Sequence, residues 1–368
     1  MFRQYKLKNY NFKLILFVVA LSIIGYLAIG SAKLSVQEDQ MRGIIMGLVA
    51  MVVFSLVDYS FYNYFYWLIY IFNVGLLSAV LLFGTKINGS RRWLNIGFQF
   101  QPSELAKILL ILFFAQFIMK HKERLNTLKI LVLSGILMGI PLALIYKEPD
   151  LSTSIMIVIT FCVMMFIGGL SYKIVLGVLG ALIPAGIAFF SIILQPEQHI
   201  FEGYQITRIL AWLQPEKYAD SAAYQQLNSI TAIGSGQLLG KGLNNNVIAS
   251  VKNGNFISEP QTDFIFAVIG EELGFLGACA VIVLLILVVI ECLKIAKNAK
   301  DTAGAIIANG MAALICLQGF MNISVATGLL PNTGIPLPFV SYGRTSIMSL
   351  YMGIGIVLNI GLQAKKYK

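Results

Sequence analysis

Eleven ionisable side chains fall at one set of ends of long apolar runs: Arg91, Arg92, Glu104, Lys107, Glu148, Asp150, Arg208, Glu259, Asp263, Glu271 and Arg344. Ionisable groups near membrane depth cost free energy, so their presence there is a functional hypothesis by default. Asp263 lies in Glu259-Pro260-Gln261-Thr262-Asp263-Phe264-Ile265-Phe266, at the start of an apolar run. Thr262 can cap that helix as well as Asp263 can, which leaves Asp263 for chemistry. A carboxylate at the mouth of a lipid-facing cavity can have its pKa raised and act as a general base. Asp150, in Glu148-Pro149-Asp150, also precedes an apolar run, and either caps it or joins the site. Glu104 and Lys107 stand three apart, on one face of a helix. Their pairing either fixes a carboxylate for chemistry or is a structural device that lets both charges enter the membrane. Arg91, Arg92 and Trp93 suit a lipid-linked anion at the interface, because guanidinium matches phosphate geometry. The same residues also suit plain interfacial anchoring.

Other chemistries are excluded by spacing. Gly234-Ser235-Gly236 and Gly240-Lys241-Gly242 do not make a phosphate loop: the glycines are too close, and Gly242 stands where Ser or Thr is needed after the lysine. Those glycines point instead to tight turns. The two histidines, His121 and His199, are too few for a histidine-based zinc site. Cys162, Cys279, Cys292 and Cys316 form no CxxC pair and read as core thiols. The net charge is +10, yet no basic stripe with interleaved aromatics is present, which argues against nucleic acid.

The elements that must position these residues are membrane helices. The 368-residue chain is 58% hydrophobic and 12% charged, about half the charged fraction of a soluble domain. Ten apolar segments stand out, at 14–32, 42–58, 63–83, 103–119, 128–146, 152–170, 173–194, 263–293, 302–330 and 340–363. Backbone polar groups cannot stay unpaired in lipid, so the fold class is an all-α integral membrane protein, one polytopic domain over 1–368. The basic stretch 1–13 precedes a run too long for a signal peptide, so the first helix reads as retained. With the N-terminus inside, fifteen of the twenty-seven Lys and Arg fall on the inner side. Four more lie in one long loop and eight at outer helix ends, which places both termini in the cytoplasm. The outer loop, 195–262 between the seventh and eighth segments, is long for a passive linker. Its stretch 222–242 is apolar enough to pack back on the membrane domain. Pro331, Pro336 and Pro338, with Gly328, Gly334 and Gly343, break the helical pattern before the last segment, so that backbone should line a cavity or the interface.

These stretches together resemble the SEDS family (shape, elongation, division and sporulation), which includes RodA, FtsW and SpoVE. The resemblance rests on Arg92-Trp93 with Gln101-Pro102-Ser103-Glu104-Leu105-Ala106-Lys107, on Glu148-Pro149-Asp150-Leu151, and on Ala232-Ile233-Gly234-Ser235-Gly236 with Gly240-Lys241-Gly242. It continues in Thr262-Asp263-Phe264-Ile265-Phe266-Ala267, Glu271-Glu272-Leu273-Gly274, and Gly328-Leu329-Leu330-Pro331 through Gly334-Ile335-Pro336-Leu337-Pro338-Phe339 to Ser341-Tyr342-Gly343. The runs come in the family's order along nearly the whole chain. Gln101-Pro102-Ser103-Glu104, Ile233-Gly234-Ser235-Gly236 and the short termini look more like RodA than FtsW, which points to elongation.

The resemblance implies a peptidoglycan glycosyltransferase in the cytoplasmic membrane of a bacterium. It would polymerise lipid II into a nascent β-1,4 glycan strand at the outer face, beside a class B penicillin-binding protein. The family's essential aspartate falls on Asp263, its Glu and Lys on Glu104 and Lys107, and its aspartate before the sixth helix on Asp150. Arg92, Arg208 and Lys241 are then expected to meet donor pyrophosphate, with Trp93, Thr262 and Ser341 beside the substrate. A divalent cation (Mg or Mn) could share the charge, but the sequence shows no closed metal site. Arg344 stands where the family usually has a second glycine, which adds bulk and charge near the site. Ser258, Asn228 and the pair Lys147-Glu148 also depart from the usual residues. A flippase or transporter for a lipid-linked precursor is the rival reading. Transporters place coupling charges near the midplane between repeats, whereas here the charge sits at the outer mouth and no repeat is visible. A non-catalytic scaffold is the third, and it would tolerate change at Asp263.

Overall fold

The computed structural model describes residues 10–87, 90–95, 97, 99–193, 203–243 and 256–363. The chain folds into helices α1 (Phe12–Ala32), α2 (Gln37–Leu56), a short α3 (Tyr59–Tyr64) and α4 (Tyr66–Phe83). A small antiparallel sheet follows, β1 (Thr85–Ile87), β2 (Ser90–Asn95) and β3 (Gln99–Phe100), in the order β1-β2-β3. Then come α5 (Pro102–Lys120), α6 (Leu128–Lys147), α7 (Leu151–Ile167) and α8 (Tyr172–Ile193). The long loop contributes α9 (Tyr204–Leu213) and α10 (Tyr224–Ser235). The last three helices are α11 (Ile265–Lys297), α12 (Thr302–Ala326) and α13 (Arg344–Leu362).

Among the described residues eight spans are long and apolar enough to cross a membrane, and α7 and the start of α8 are shorter apolar helices. Helix ends are set by local side chains. Asn11 accepts from the Leu14 amide, Asp150 from Thr153 and Asp301 from Gly304, so each satisfies an orphan N–H of a first turn. Asp150 therefore does cap its helix. α5, α12 and α13 are buried along most of their length, while α1, α2, α4 and α6 keep a wide lipid-facing side. The four cysteines are free thiols on helices, but only Cys292 is buried as a core thiol; Cys279 is partly buried, and Cys162 and Cys316 are exposed on the helix surface.

α11 departs from the expected continuous helix. Gly274 (φ 65°, ψ −163°) breaks it into a buried first half and a long second half. A break in lipid leaves backbone groups without partners, which the bilayer cannot supply. The segment 237–242 supplies them. The amides of Lys241 and Gly242 donate to the carbonyls of Glu271 and Glu272, at 3.0 and 2.9 Å. The amides of Phe275 and Leu276 donate to Gln237 and Leu238. The stretch 222–242 thus packs back on the helices, as its composition implied. Gly236 lies so close that a Cβ there would stand 1.9 Å from the Gly270 carbonyl oxygen. Gly236→Ala is expected to lift this seat and cost about 1–3 kcal/mol of stability. Gly234→Ala, facing open space, should cost nothing. Thermal unfolding in detergent compares the two.

Candidate functional site

Asp263 sits in the turn before α11, which starts at Ile265 without a side-chain cap. The Thr262 hydroxyl donates to the Glu259 carbonyl instead of capping the helix, so Asp263 stands outside the first helical turn. Three walls surround it. The first is the irregular stretch before α13: a Cβ on Gly334 would lie 3.4 Å from Asp263 Oδ2. The Asn322 amide, from α12, donates to the carbonyls of Asp263 (2.8 Å) and Ile335 (2.7 Å), tying turn and wall together. The second wall is α9, whose Arg208 Nη1 donates to the Asn332 carbonyl at 3.1 Å. The third is the joint between α6 and α7. Arg92, from β2, donates through Nε to the Glu148 carbonyl at 2.9 Å and through Nη2 to that of Pro149. Trp93 follows it in β2, half-buried.

The electrostatics follow from this placement. Burial pushes the Asp263 carboxyl up to about 6, from an ordinary value of 3.8. Arg208 and Arg92 oppose the rise, and the carboxylates of Asp150 and Glu259 add to it. A carboxyl poised near neutrality can accept a proton, while the guanidiniums whose charge acts on it can hold an anion nearby.

The remaining expected residues divide. Glu104 and Lys107 are 5% and 2% exposed and pair at 2.7 Å inside the bundle. Lys107 also donates to Gln318 Oε1 at 3.4 Å, and Gln318 Nε2 donates to the Pro336 carbonyl at 2.9 Å. The pair is therefore a strut behind the wall that carries Gly334. Lys241 pairs with Glu271 at 2.8 Å, two turns along α11 from Asp263 and beside the Gly274 break. The Ser341 hydroxyl donates to the Thr262 carbonyl at 2.6 Å and accepts from the Leu337 amide at 2.7 Å, so it is engaged in the turn itself. Among the described residues no group of three or more His, Cys, Asp or Glu side chains is spaced to hold a metal ion.

A family model described as cell cycle protein, FtsW/RodA/SpoVE, matches residues 7–366. The chain belongs to the SEDS family. The peptidoglycan glycosyltransferase MrdB of Escherichia coli (strain K12) is 36% identical over 356 residues, 96% of this chain and 93% of that protein. Stage V sporulation protein E of Bacillus subtilis (strain 168) is 34% identical over 322 residues, 86% of this chain and 84% of that one. Among solved structures, a chain of a peptidoglycan synthase complex that coordinates polymerization and crosslinking superposes with a TM-score of 0.80. It is 26% identical, with 96% of this chain and 97% of that chain covered. The rod shape determining protein RodA of Thermus thermophilus gives a TM-score of 0.69 at 25% identity, covering 96% of each chain.

This SEDS chain holds site residues that sequence reasoning passed over. Gln318 and Asn322 sit in the last third of α12, and only their long-range partners reveal them. Glu148 is one of the ionisable groups that spacing picks out at the helix ends, but its sequence context does not show that its side chain is fully buried. Neither of its carboxyl oxygens has a hydrogen-bond partner among the described residues. Burial, then Asp150, pushes it up to about 8 against the pull of Arg92, so at neutral pH it is mostly the neutral acid. The folded protein binds more protons than the unfolded chain between the ordinary 4.5 and about 8. Stability must therefore fall as pH rises through that window and level off above it. Glu148→Gln should remove this slope, leaving stability at pH 4 almost unchanged and raising it at pH 8. Melting curves of both proteins across that range test this. An equal difference at both ends would discard it.

Proposed function

We propose that this protein polymerises lipid II into peptidoglycan strands, with Asp263 as the general base. It is a multi-pass protein of the bacterial inner membrane and a peptidoglycan glycosyltransferase. The observation that supports the mechanism best is the buried Asp263 carboxyl, raised by burial to about 6 and acted on by the charges of Arg208 and Arg92. The 4-hydroxyl of the acceptor GlcNAc attacks C1 of the donor MurNAc. Asp263 takes the hydroxyl proton as the new C–O bond forms. The bond from C1 to the pyrophosphate oxygen breaks, and undecaprenyl pyrophosphate leaves with the electron pair. The α-linked donor becomes a β-1,4 bond, so the centre inverts. Pyrophosphate is a good leaving group and needs cations rather than a strong acid, which Arg92 and Arg208 supply. Their guanidiniums are already aimed by backbone carbonyls, so little reorganisation accompanies charge development.

The site faces the outer side of the membrane in this reading, with both termini in the cytoplasm. The elongation role and a class B penicillin-binding protein as crosslinking partner follow the RodA-like features. The test is polymerisation of labelled lipid II by the purified protein, alone and with such a partner. Long chains from the wild type support an enzyme. Translocation of labelled lipid II across vesicles without chain growth would move the reading to a flippase.

A further inference from the structure

Arg344 opens α13, and the structure shows where its charge goes. Its Nη2 lies 2.8 Å from Asp39 Oδ2, in the first turn of α2. The two side chains are 28% and 31% exposed. Arg42 approaches the other Asp39 oxygen at 3.7 Å and Glu38 at 3.8 Å, so Asp39 is shared between two guanidiniums. The next residue, Gln40, is fully buried. Its Nε2 donates to the Ser341 carbonyl and its Oε1 accepts from the Gly343 amide, each at 3.3 Å. Gln40 therefore grips the backbone on both sides of Tyr342.

That gripped backbone in turn holds the turn of Asp263. The Tyr342 amide donates to the Gln261 carbonyl at 2.9 Å, and the Ser341 hydroxyl to that of Thr262 at 2.6 Å. From α2 to the base the path is continuous: Asp39 and Gln40, then 341–344, then 261–262, then Asp263. Nothing else in the proposed reaction uses Asp39, Gln40 or Arg344.

We propose that Asp39, Gln40 and Arg344 form a clasp that positions the Asp263 turn, with the Arg344–Asp39 ion pair as its outer fastening. These are positioning residues, not catalytic ones. The inference rests on Asp263 being the base. A buried two-point grip fixes geometry more tightly than a half-exposed ion pair, so Gln40 carries the larger share.

The experiment is a set of variants assayed for lipid II polymerisation and by hydrogen exchange of the full-length protein. Gln40→Leu should lower kcat by about tenfold or more with KM for lipid II unchanged, because the base is displaced while the donor cations stay. Asp39→Ala and Arg344→Ala should each lower kcat by about two- to fivefold. The double variant should be no worse than either single one, the signature of coupled partners. Amide exchange in 256–266 should quicken in Gln40→Leu while that of α5 stays slow. A raised KM in Arg344→Ala beside a silent Asp39→Ala would overturn the pairing and give Arg344 to the substrate. Wild-type kcat and unchanged exchange in Gln40→Leu would overturn the clasp. Should the wild type make no chains, the enzymatic reading fails on its own, and exchange in 256–266 still decides the clasp.

Discussion

Asp263→Asn should lose lipid II polymerisation by about 10²- to 10⁴-fold, the range that a positioned general base contributes. The same change should leave the protein more stable at neutral pH. The folded-state pKa of Asp263 is raised from 3.8 to about 6, so the folded protein binds more protons than the unfolded chain across that window. Stability contributed by the protonated form is present below 3.8 and is lost as pH rises through 6. Asparagine mimics the neutral acid and avoids the loss. An inactive variant with a raised Tm would exclude unfolding as the cause, and an active one would remove Asp263 as the base. The wild-type rate should fall about tenfold per pH unit below an apparent pKa near 6. Because Arg208 and Arg92 hold that pKa down, Arg208→Ala should move the acidic limb to higher pH as well as weakening donor binding. A limb that stays put would mean that the guanidinium does not face the carboxyl in the working enzyme.

Lys107→Met should be among the most destabilising single changes in the chain. Glu104 is buried in the bundle with Lys107 as its ion partner at 2.7 Å, and its other oxygen has no hydrogen-bond partner among the described residues. Removing the cation strands a carboxylate in a medium that cannot solvate it, at a cost of about 3–5 kcal/mol. Glu104→Leu combined with Lys107→Met should regain most of that stability, since a buried pair can be replaced by apolar residues at little cost. Thermal unfolding of both single variants and the double variant makes the cycle. A Lys107→Met protein as stable as the wild type would show that the Glu104 carboxyl does not depend on Lys107. The double variant should still polymerise poorly, because Gln318 loses its contact with Lys107 on the path to Pro336 and the wall beside Asp263.

Much of this protein follows from the order of its residues. Long apolar runs force helices, because lipid offers backbone groups no other partner, and the expected segments lie close to α1, α2, α4–α8 and α11–α13. Local chemistry was equally legible. Asp150 caps α7 across three residues, and Glu104 meets Lys107 across three. Short-range geometry depends only on the helix repeat, which spacing reveals.

The tertiary structure decided what depends on neighbours distant in sequence. The apolar run over 263–293 hides the break at Gly274, because hydropathy cannot register backbone bonds donated from residues 241 and 242. Spacing places Lys241 and Arg344 near the outer end of the bundle, but only packing directs them to Glu271 and Asp39. Gln40, Gln318 and Asn322 look like ordinary polar residues within helices until their partners, 13 to 303 positions away, are known. Sequence chose the carboxyl. Burial and two guanidiniums, brought together from β2 and α9, set its proton affinity, and those distances exist only in the folded chain.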